Sequence, residues 1–219
     1  MKFGAVPTMQ ARGGVVAHSI RQDGLVLKKG DIVTDMHVER LQAAGVESIT
    51  VALLEKGDVP EDEAAGRLAE AVAGSEVRVQ KPFTGRSNLF ARAAGVLVVN
   101  EDALEAINDI DESVTVATLP PWRSVVEGEM IGTVKIIPFA VSSSVLDKAV
   151  AAAGSQAVRV AAFQPLKVGV VSTLLPGLKA SVVAKTLRVL QERLAPAGAQ
   201  VVHETSVAHD TDALSSAIA

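Results

Sequence analysis

The chain lacks cysteine and tyrosine, and it has few aromatic residues of any kind, with one tryptophan and five phenylalanines among 219 residues. Without cysteine there is no disulfide framework, no thiolate metal site and no cysteine nucleophile. Hydrophobic residues still make up 48% of the sequence. The core must therefore be built mainly from valine, leucine, isoleucine and alanine, which suits strands packed against helices.

Long apolar runs and an excess of basic charge are also missing. The longest apolar stretches, such as 149–154 and 168–171, fall far short of the roughly 20 residues that a membrane span needs. There are 21 lysines and arginines against 25 acidic residues, a net charge of −4, and the bases are scattered. We therefore expect no membrane insertion and no nucleic-acid partner. The absence of a charged-then-apolar leader favours the cytoplasm.

The order of predicted elements indicates an α/β protein of mixed α+β type in three parts. Residues 1–74 are predicted to form a small α+β unit. A hairpin turns at Asp23-Gly24, and Thr34 caps a helix. A capping box from Asp58 to Glu61, with proline in the first turn, opens a second helix that Gly74 ends.

Residues 75–164 are predicted to form a β-rich mixed module. Several short β-rich runs surround one helix over 101–108, and Glu127-Gly128 is predicted to be a hairpin turn between two of the strands. Ser142 is expected to begin the capping of a helix that runs to Ala153. Gln164-Pro165 is the most plausible boundary before the last part.

Residues 165–219 are predicted to open a nucleotide-binding type of layer. A strand over 167–171 precedes a helix whose apolar residues fall on one face, and a second strand over 200–207 precedes a second helix. A doubly wound sheet typically has four or more strands and needs cover on both faces. We therefore expect either a fragment or a sheet that another chain, or a second copy of this one, completes.

The turn after the first of these strands is the first candidate site. Ligands of open α/β sheets bind beyond the carboxyl ends of strands, where helix N-termini offer free N–H groups to anions. Four side chains are expected there: Ser172, Thr173, Lys179 and Lys185. The turn lacks both the G-x-G-x-x-G and the G-K-[ST] patterns, which disfavours a standard NAD or ATP site. The alternative is that the hydroxyls cap the turn and the lysines are solvated.

A polar segment, TGRSN at 84–88, lies between phenylalanines and is the second candidate. Arg86 is suited to bind phosphate and Asn88 to orient a ring amide. The alternative is a capped turn in which Phe83 and Phe90 anchor a satellite core and Arg86 pairs with a carboxylate. Lys135 lies inside an apolar strand, and it is either the outward residue of an edge strand or a buried ligand contact.

The four histidines form no compact metal pattern, so no metal site is expected from them. His209-Asp210 is the one adjacent pair of base and carboxylate. Its most plausible role is structural, with Asp210 near the start of a helix.

Several of these segments resemble one known family. The KVGVVST run at 167–173, followed by PGLK at 176–179 and Lys185-Thr186, resembles the opening of the molybdopterin-binding domain of molybdenum cofactor biosynthesis proteins. The TGRSNLF, ATLP and KIIPFA segments, which begin at residues 84, 117 and 135, resemble a bacterial subgroup in which this domain follows an N-terminal extension.

The resemblance implies a cytosolic protein that binds molybdopterin or its adenylated form, as part of an adenylyltransferase or molybdenumtransferase-like protein. It further implies ATP and Mg²⁺ as ligands, because adenylation and molybdate insertion use them. The family's glycine-rich loop comes after the first two βα units, so the resemblance implies a sequence truncated within the molybdopterin-binding domain. Its expected contacts are Ser172, Thr173, Lys179 and Lys185, with Arg86, Asn88 and Lys135 as a second site.

Two other functions remain open at this point. A noncatalytic scaffold or carrier would dock its β-rich parts on a partner protein while the unfinished sheet edge pairs with another chain. Alternatively, residues 1–74 form a small module that binds a sugar or an acid, because Lys28 and Lys29 make a tight basic turn near His18.

Overall fold

The computed structural model describes all 219 residues and has a mixed α+β fold, which confirms the predicted fold class. The α-helices are α1 (Asp35–Ala43), α2 (Glu61–Val72), α3 (Glu101–Asn108), α4 (Ser143–Ala153), α5 (Ala180–Leu194) and α6 (Thr211–Ile218). The strands are β1 (Lys2–Pro7), β2 (Val15–Val16), β3 (Ile20–Gln22), β4 (Leu25–Leu27), β5 (Ser48–Leu53), β6 (Asp58–Pro60), β7 (Val77–Val79), β8 (Arg86–Ala91), β9 (Gly95–Val99), β10 (Val114–Thr118), β11 (Ser124–Val125), β12 (Met130–Ile136), β13 (Ala140–Ser142), β14 (Val158–Ala162), β15 (Lys167–Leu174) and β16 (Gln200–Ala208).

The N-terminal unit has its own small core. Strand β5 lies between β1 and β2, and both pairings are antiparallel. Eight buried residues between Ala11 and Val51 form the core of this unit. The predicted hairpin is confirmed: β3 and β4 pair through Asp23-Gly24, whose φ angles of 44° and 75° fit a turn that favours glycine. The predicted Thr34 cap is also confirmed, because its side chain accepts the N–H of His37.

The middle unit contains a larger core of 25 buried residues, from Val59 to Val160. A four-stranded antiparallel sheet, in the order β10-β12-β8-β7, supplies one layer, and β11-β9-β14 forms a second sheet. Helix α2 contributes five buried residues to this core: Ala64, Ala65, Leu68, Ala69 and Val72. The packing therefore groups α2 with the middle strands, whereas the sequence pattern grouped it with residues 1–74.

Two predicted local features of these units are wrong. Asp58 does not open a capping box: it lies in strand β6, and its carboxylate accepts the N–H of Glu55 instead. Glu127-Gly128 is a turn, but it does not join a hairpin, because β11 pairs with β9 while β12 pairs with β8 and β10. The turn in the TGRSN segment is confined to Thr84-Gly85, and strand β8 begins at Arg86.

The C-terminal unit has the predicted strand, helix, strand and helix. Strands β15 and β16 pair in parallel, as a strand–helix–strand crossover requires. The predicted apolar face of α5 is half-buried at Val183, Leu187, Leu190 and Leu194. No residue from 165 to 219 is fully buried, and seven large hydrophobic side chains there are exposed. A parallel sheet is ordinarily covered on both faces, so this unit has strands and helices but no closed core.

None of the six α-helices is both long enough and apolar enough to cross a membrane.

Candidate functional site

The carboxyl ends of the two parallel strands lie side by side and define the first candidate site. Strand β15 ends at Leu174 and leads to α5, while β16 ends at Ala208 and leads to α6. The two ends are joined by a hydrogen bond from the N–H of His209 to the carbonyl of Leu174, at 3.1 Å. This is the edge at which open α/β sheets bind their ligands.

Ser172 and Thr173 lie in strand β15 rather than in the turn that was predicted for them. They pair with Ser206 and Val207 of β16. Because the strand pairing continues through both residues, they do not cap the turn. The Thr173 hydroxyl lies 2.9 Å from His209 Nδ1. Both predicted hydroxyls are thus held at the strand end, and one of them contacts the histidine that follows β16.

A shallow pocket of about 300 Å³ opens at this edge and is lined by Thr173, His209, Asp210, Thr211 and Leu214. Asp210 Oδ1 accepts the N–H groups of Asp212 and Ala213, both at 3.0 Å. Asp210 is therefore the N-cap of α6, as predicted. A carboxylate at this position already uses the helix N–H groups and repels an anion.

The start of α5 is different, because no side chain caps it. Lys179 occupies the N-cap position, and the first turn contains no acidic residue. The N–H groups of Ala180 and Ser181 have no acceptor in the protein. Side chains cap α1, α3, α4 and α6, and the other uncapped helix, α2, carries three acidic residues in its first turn. The α5 start is therefore the helix N-terminus best suited to an anion.

Lys185 lies apart from the strand ends. It lines a separate groove with Thr186, Val189, Leu190 and Arg193 on α5. Of the four residues predicted at this turn, the structure places Ser172 and Thr173 near the end of β15 and Lys179 at the start of α5, whereas Lys185 lines a separate groove.

The second predicted cluster is brought together on the open face of the four-stranded sheet. Arg86 of β8 is directly opposite Lys135 of β12, and Asn88 is opposite Thr133. Both bases are exposed. Strand β12 is an interior strand, flanked by β10 and β8. The prediction that Lys135 marks an edge strand is therefore wrong: it is the outward residue of an interior strand.

Asn88 holds this face together through its side chain. Its Nδ2 donates to Gln80 Oε1 at 2.8 Å, and its Oδ1 accepts the Thr133 hydroxyl at 2.8 Å. Both ends of the amide are thus used in the protein. A ligand on this face would have to compete with these bonds or contact the neighbouring bases instead.

The bases of this face have no ion pairs. The four strands of the sheet contain Arg78, Arg86 and Lys135 and no acidic residue, and none of the three bases forms a salt bridge. Arg78 lies over the Phe90 ring at 4.6 Å. The proposed pairing of Arg86 with a carboxylate is therefore wrong, and like charges opposite each other destabilise a sheet. Phe83 is 48% exposed, so it does not anchor a satellite core.

A further pocket, of about 350 Å³, lies where the N-terminal and middle units meet. We call it the junction pocket; its lining includes Phe3, Lys29, Glu61, Ile137 and Phe139. Sequence spacing gives no sign that these residues converge, because they come from four separate segments. The available signal was the scarcity of aromatic residues, since two of only five phenylalanines meet here.

Glycine is required beside this pocket, at Gly85. Its φ is +69°, and a Cβ there would lie 2.5 Å from Glu61 Oε2 and 2.7 Å from the carbonyl oxygen of Ile136. The Gly85 N–H also donates to Asp62 Oδ1 at 2.7 Å. The turn before β8 is thus fixed against the start of α2.

No group of three or more histidine, aspartate or glutamate side chains converges to hold a metal ion. At the strand ends, Asp210 is already engaged as a helix cap. No cluster in the protein would therefore hold Mg²⁺ by side chains alone.

A domain family of unknown function, DUF8806, matches residues 5–53. This range corresponds to the N-terminal unit and contains all eight of its buried core residues. No curated protein and no solved structure matches the chain. The family match covers less than half of the sequence and carries no activity with it.

Proposed function

We propose that this chain binds molybdopterin, or its adenylated form, at the carboxyl ends of β15 and β16, and that it serves molybdenum cofactor biosynthesis. The observation that supports the proposal is the uncapped start of α5, which follows the KVGVVST strand and carries Lys179 in place of a polar cap. Free helix N–H groups with an adjacent ammonium group are suited to a phosphate.

In this arrangement the phosphate lies against the N–H groups of Ala180 and Ser181, and Lys179 neutralises part of its charge. Thr173 and His209 line the shallow pocket at the ends of the two strands. Asp210 keeps the α6 start closed to a second anion, because its carboxylate occupies the N–H groups there. Of the two helix starts at this edge of the sheet, only the start of α5 is therefore open to an anion.

The test is an anaerobic titration of molybdopterin into the 219-residue chain and into two lysine variants. Lys179→Ala is expected to weaken binding by roughly tenfold, the loss of one charge-assisted contact. Lys185→Ala is the matched control, because it removes an exposed lysine from the same helix but from a separate groove. Equal affinity in both variants, or no saturable binding by the folded wild-type chain, contradicts the proposal.

One observation favours a second function, that of a module which docks on another protein chain. Residues 165–219 include seven exposed large hydrophobic side chains: Leu166, Leu174, Leu175, Leu178, Val182, Val202 and Ile218. Exposed large apolar side chains mark interaction sites where they form a contiguous patch. This function predicts that sedimentation velocity detects a stable complex of the chain with another protein chain. It also predicts that the chain does not bind pterin. A monomer that binds molybdopterin contradicts it.

A further inference from the structure

The junction pocket contains an aromatic wall. The rings of Phe3 and Phe139 are stacked, with centroids 6.1 Å apart and an angle of 17° between their planes. Phe3 is 58% exposed, so much of this side chain is open to solvent. Exposed aromatic faces beside a cavity attract flat, polarisable ring systems.

Two opposite charges face the same cavity without pairing with each other. Lys29 Nζ lies 5.6 Å from the centroid of the Phe139 ring. The Glu61 carboxylate forms no salt bridge and accepts no side-chain or backbone hydrogen bond, whereas its neighbour Asp62 accepts the Gly85 N–H. The pocket therefore contains a lysine and a carboxylate that form no salt bridge, together with an apolar aromatic surface.

The environment of Glu61 is unfavourable for its charge. Burial raises the pKa of its carboxyl above the ordinary value, the nearby Asp62 raises it further, and Lys29 acts in the opposite direction. A half-buried carboxylate that lacks donors is stabilised by any ligand that supplies them. The Glu61 carboxylate thus lacks the N–H donors that would stabilise its charge.

We infer that the junction pocket binds a flat nitrogen heterocycle with a 2-amino-4-oxopyrimidine edge and an anionic substituent. The heterocycle lies against Phe3 and Phe139, and its anionic group faces Lys29. A carboxylate only accepts hydrogen bonds, so its best planar partner presents two adjacent N–H donors, as the amino and ring N–H groups of this edge do. Pterins and guanine nucleotides share that edge. Adenine lacks two adjacent donors.

This inference is separate from the proposed function, because it uses no residue of the α5 start. Molybdopterin binding at α5 can fail while the junction pocket binds, and the reverse also holds. The Lys179→Ala variant therefore serves as a control here: it is expected to leave binding in the junction pocket unchanged.

The experiment measures binding of four probes to the full chain by calorimetry. Pterin-6-carboxylate and guanosine monophosphate carry the donor edge, while lumazine-6-carboxylate and xanthosine monophosphate replace the amino group by oxygen. At least one donor-edge probe is expected to bind roughly tenfold or more tightly than its oxo counterpart, since charged hydrogen bonds carry the difference. The preferred probe tells a pterin site from a purine site.

Paired variants place the binding in this pocket. Glu61→Gln is expected to remove the preference for the amino probes, while Glu63→Gln, on the same helical turn but outside the pocket, retains it. Phe139→Leu weakens all probes, and Phe83→Leu, an exposed phenylalanine elsewhere, does not. Thermal unfolding of each variant verifies that it folds.

The inference is overturned by no binding of any probe, by equal binding of amino and oxo probes, or by an amino preference that survives Glu61→Gln. A preference that is lost equally in Glu61→Gln and Glu63→Gln also overturns it, because the effect then belongs to the helix start in general.

Discussion

Residues up to 162 and residues from 165 onward use similar strands and helices but bury them to different extents. The first region has two closed cores, of eight and 25 buried residues. The second has an amphipathic helix, a parallel strand pair and no buried residue. Periodicity alone is thus sufficient to specify elements, while burial depends on how many layers meet. The open region also contains the start of α5, which has neither a side-chain cap nor an acidic residue in its first turn.

The largest expected difference between the regions is the cost of removing a leucine from a helix. Leu68 of α2 is fully buried, so Leu68→Ala leaves a cavity and is expected to lower the free energy of unfolding by about 2–5 kcal/mol. Leu187 of α5 is only half-buried, so Leu187→Ala is expected to cost less than about 1.5 kcal/mol. Urea unfolding monitored by circular dichroism measures both; equal losses would mean that α5 is packed as tightly as α2.

The loss of polar contacts is also expected to cost different amounts of stability in the two regions. Asn88→Ala removes both bonds of the amide to Gln80 and Thr133 and is expected to cost about 1–2 kcal/mol. Thr173→Val removes a single exposed contact to His209 while keeping the branched side chain, and its effect is expected to stay within about 0.5 kcal/mol. The reverse order, from the same urea experiment, would contradict the placement of these groups.

A pH-dependent difference is expected at Glu61, in the closed region. Because the pKa of this carboxyl is raised in the folded state, the folded chain holds the proton more tightly than the unfolded chain does. The stability of the fold therefore falls as the pH rises above the pKa that Glu61 has in the unfolded chain. Glu61→Gln is therefore expected to raise the melting temperature at pH 7, and the gain shrinks as pH falls toward 3.

The control for Glu61 is Glu63→Gln, which changes the same helical turn outside the junction pocket. The melting temperatures of both variants, measured from pH 3 to 8, test this prediction. A Glu61→Gln gain that is constant across this range, or matched by Glu63→Gln, is incompatible with the buried environment of Glu61.

The smallest expected effect concerns surface charge. Lys135→Gln removes the repulsion between two bases that face each other across β8 and β12, and it is expected to stabilise the chain by a few tenths of a kcal/mol at low salt. Salt screens exposed charges, so the gain should vanish near 1 M sodium chloride. Lys185→Gln, in the open region, should show neither effect. A gain for Lys135→Gln that persists at 1 M salt would point to packing rather than charge.

Local signals in the sequence predict most helices and several turns of this fold. Thr34, Ser142 and Asp210 cap the helices assigned to them because capping depends on a few adjacent residues. Long-range pairing is not local, and there prediction fails. Asp58 lies in β6 because this segment pairs with β13. Strand β11 pairs with β9 rather than with β12, the next strand along the chain.

The candidate sites follow the same rule. Ser172, Thr173 and Lys179 are predictable as candidates because one strand, turn and helix contain them, although β15 runs through Ser172 and Thr173. Lys185 is not brought to that site and lines a separate groove along α5. The junction pocket is not predictable from spacing, because Phe3, Lys29, Glu61 and Phe139 meet only when the two units pack together.

The most direct test of the central claim is a two-dimensional ¹H–¹⁵N NMR titration of the labelled chain with molybdopterin under anaerobic conditions. The N–H groups of Ala180 and Ser181 are free at the start of α5, while those of Asp212 and Ala213 are held by Asp210. We predict saturable shifts of the Ala180 and Ser181 amide signals, with those of Asp212 and Ala213 changing little. Saturable binding that leaves the α5 amides unmoved, or that shifts the α6 amides instead, would contradict the account.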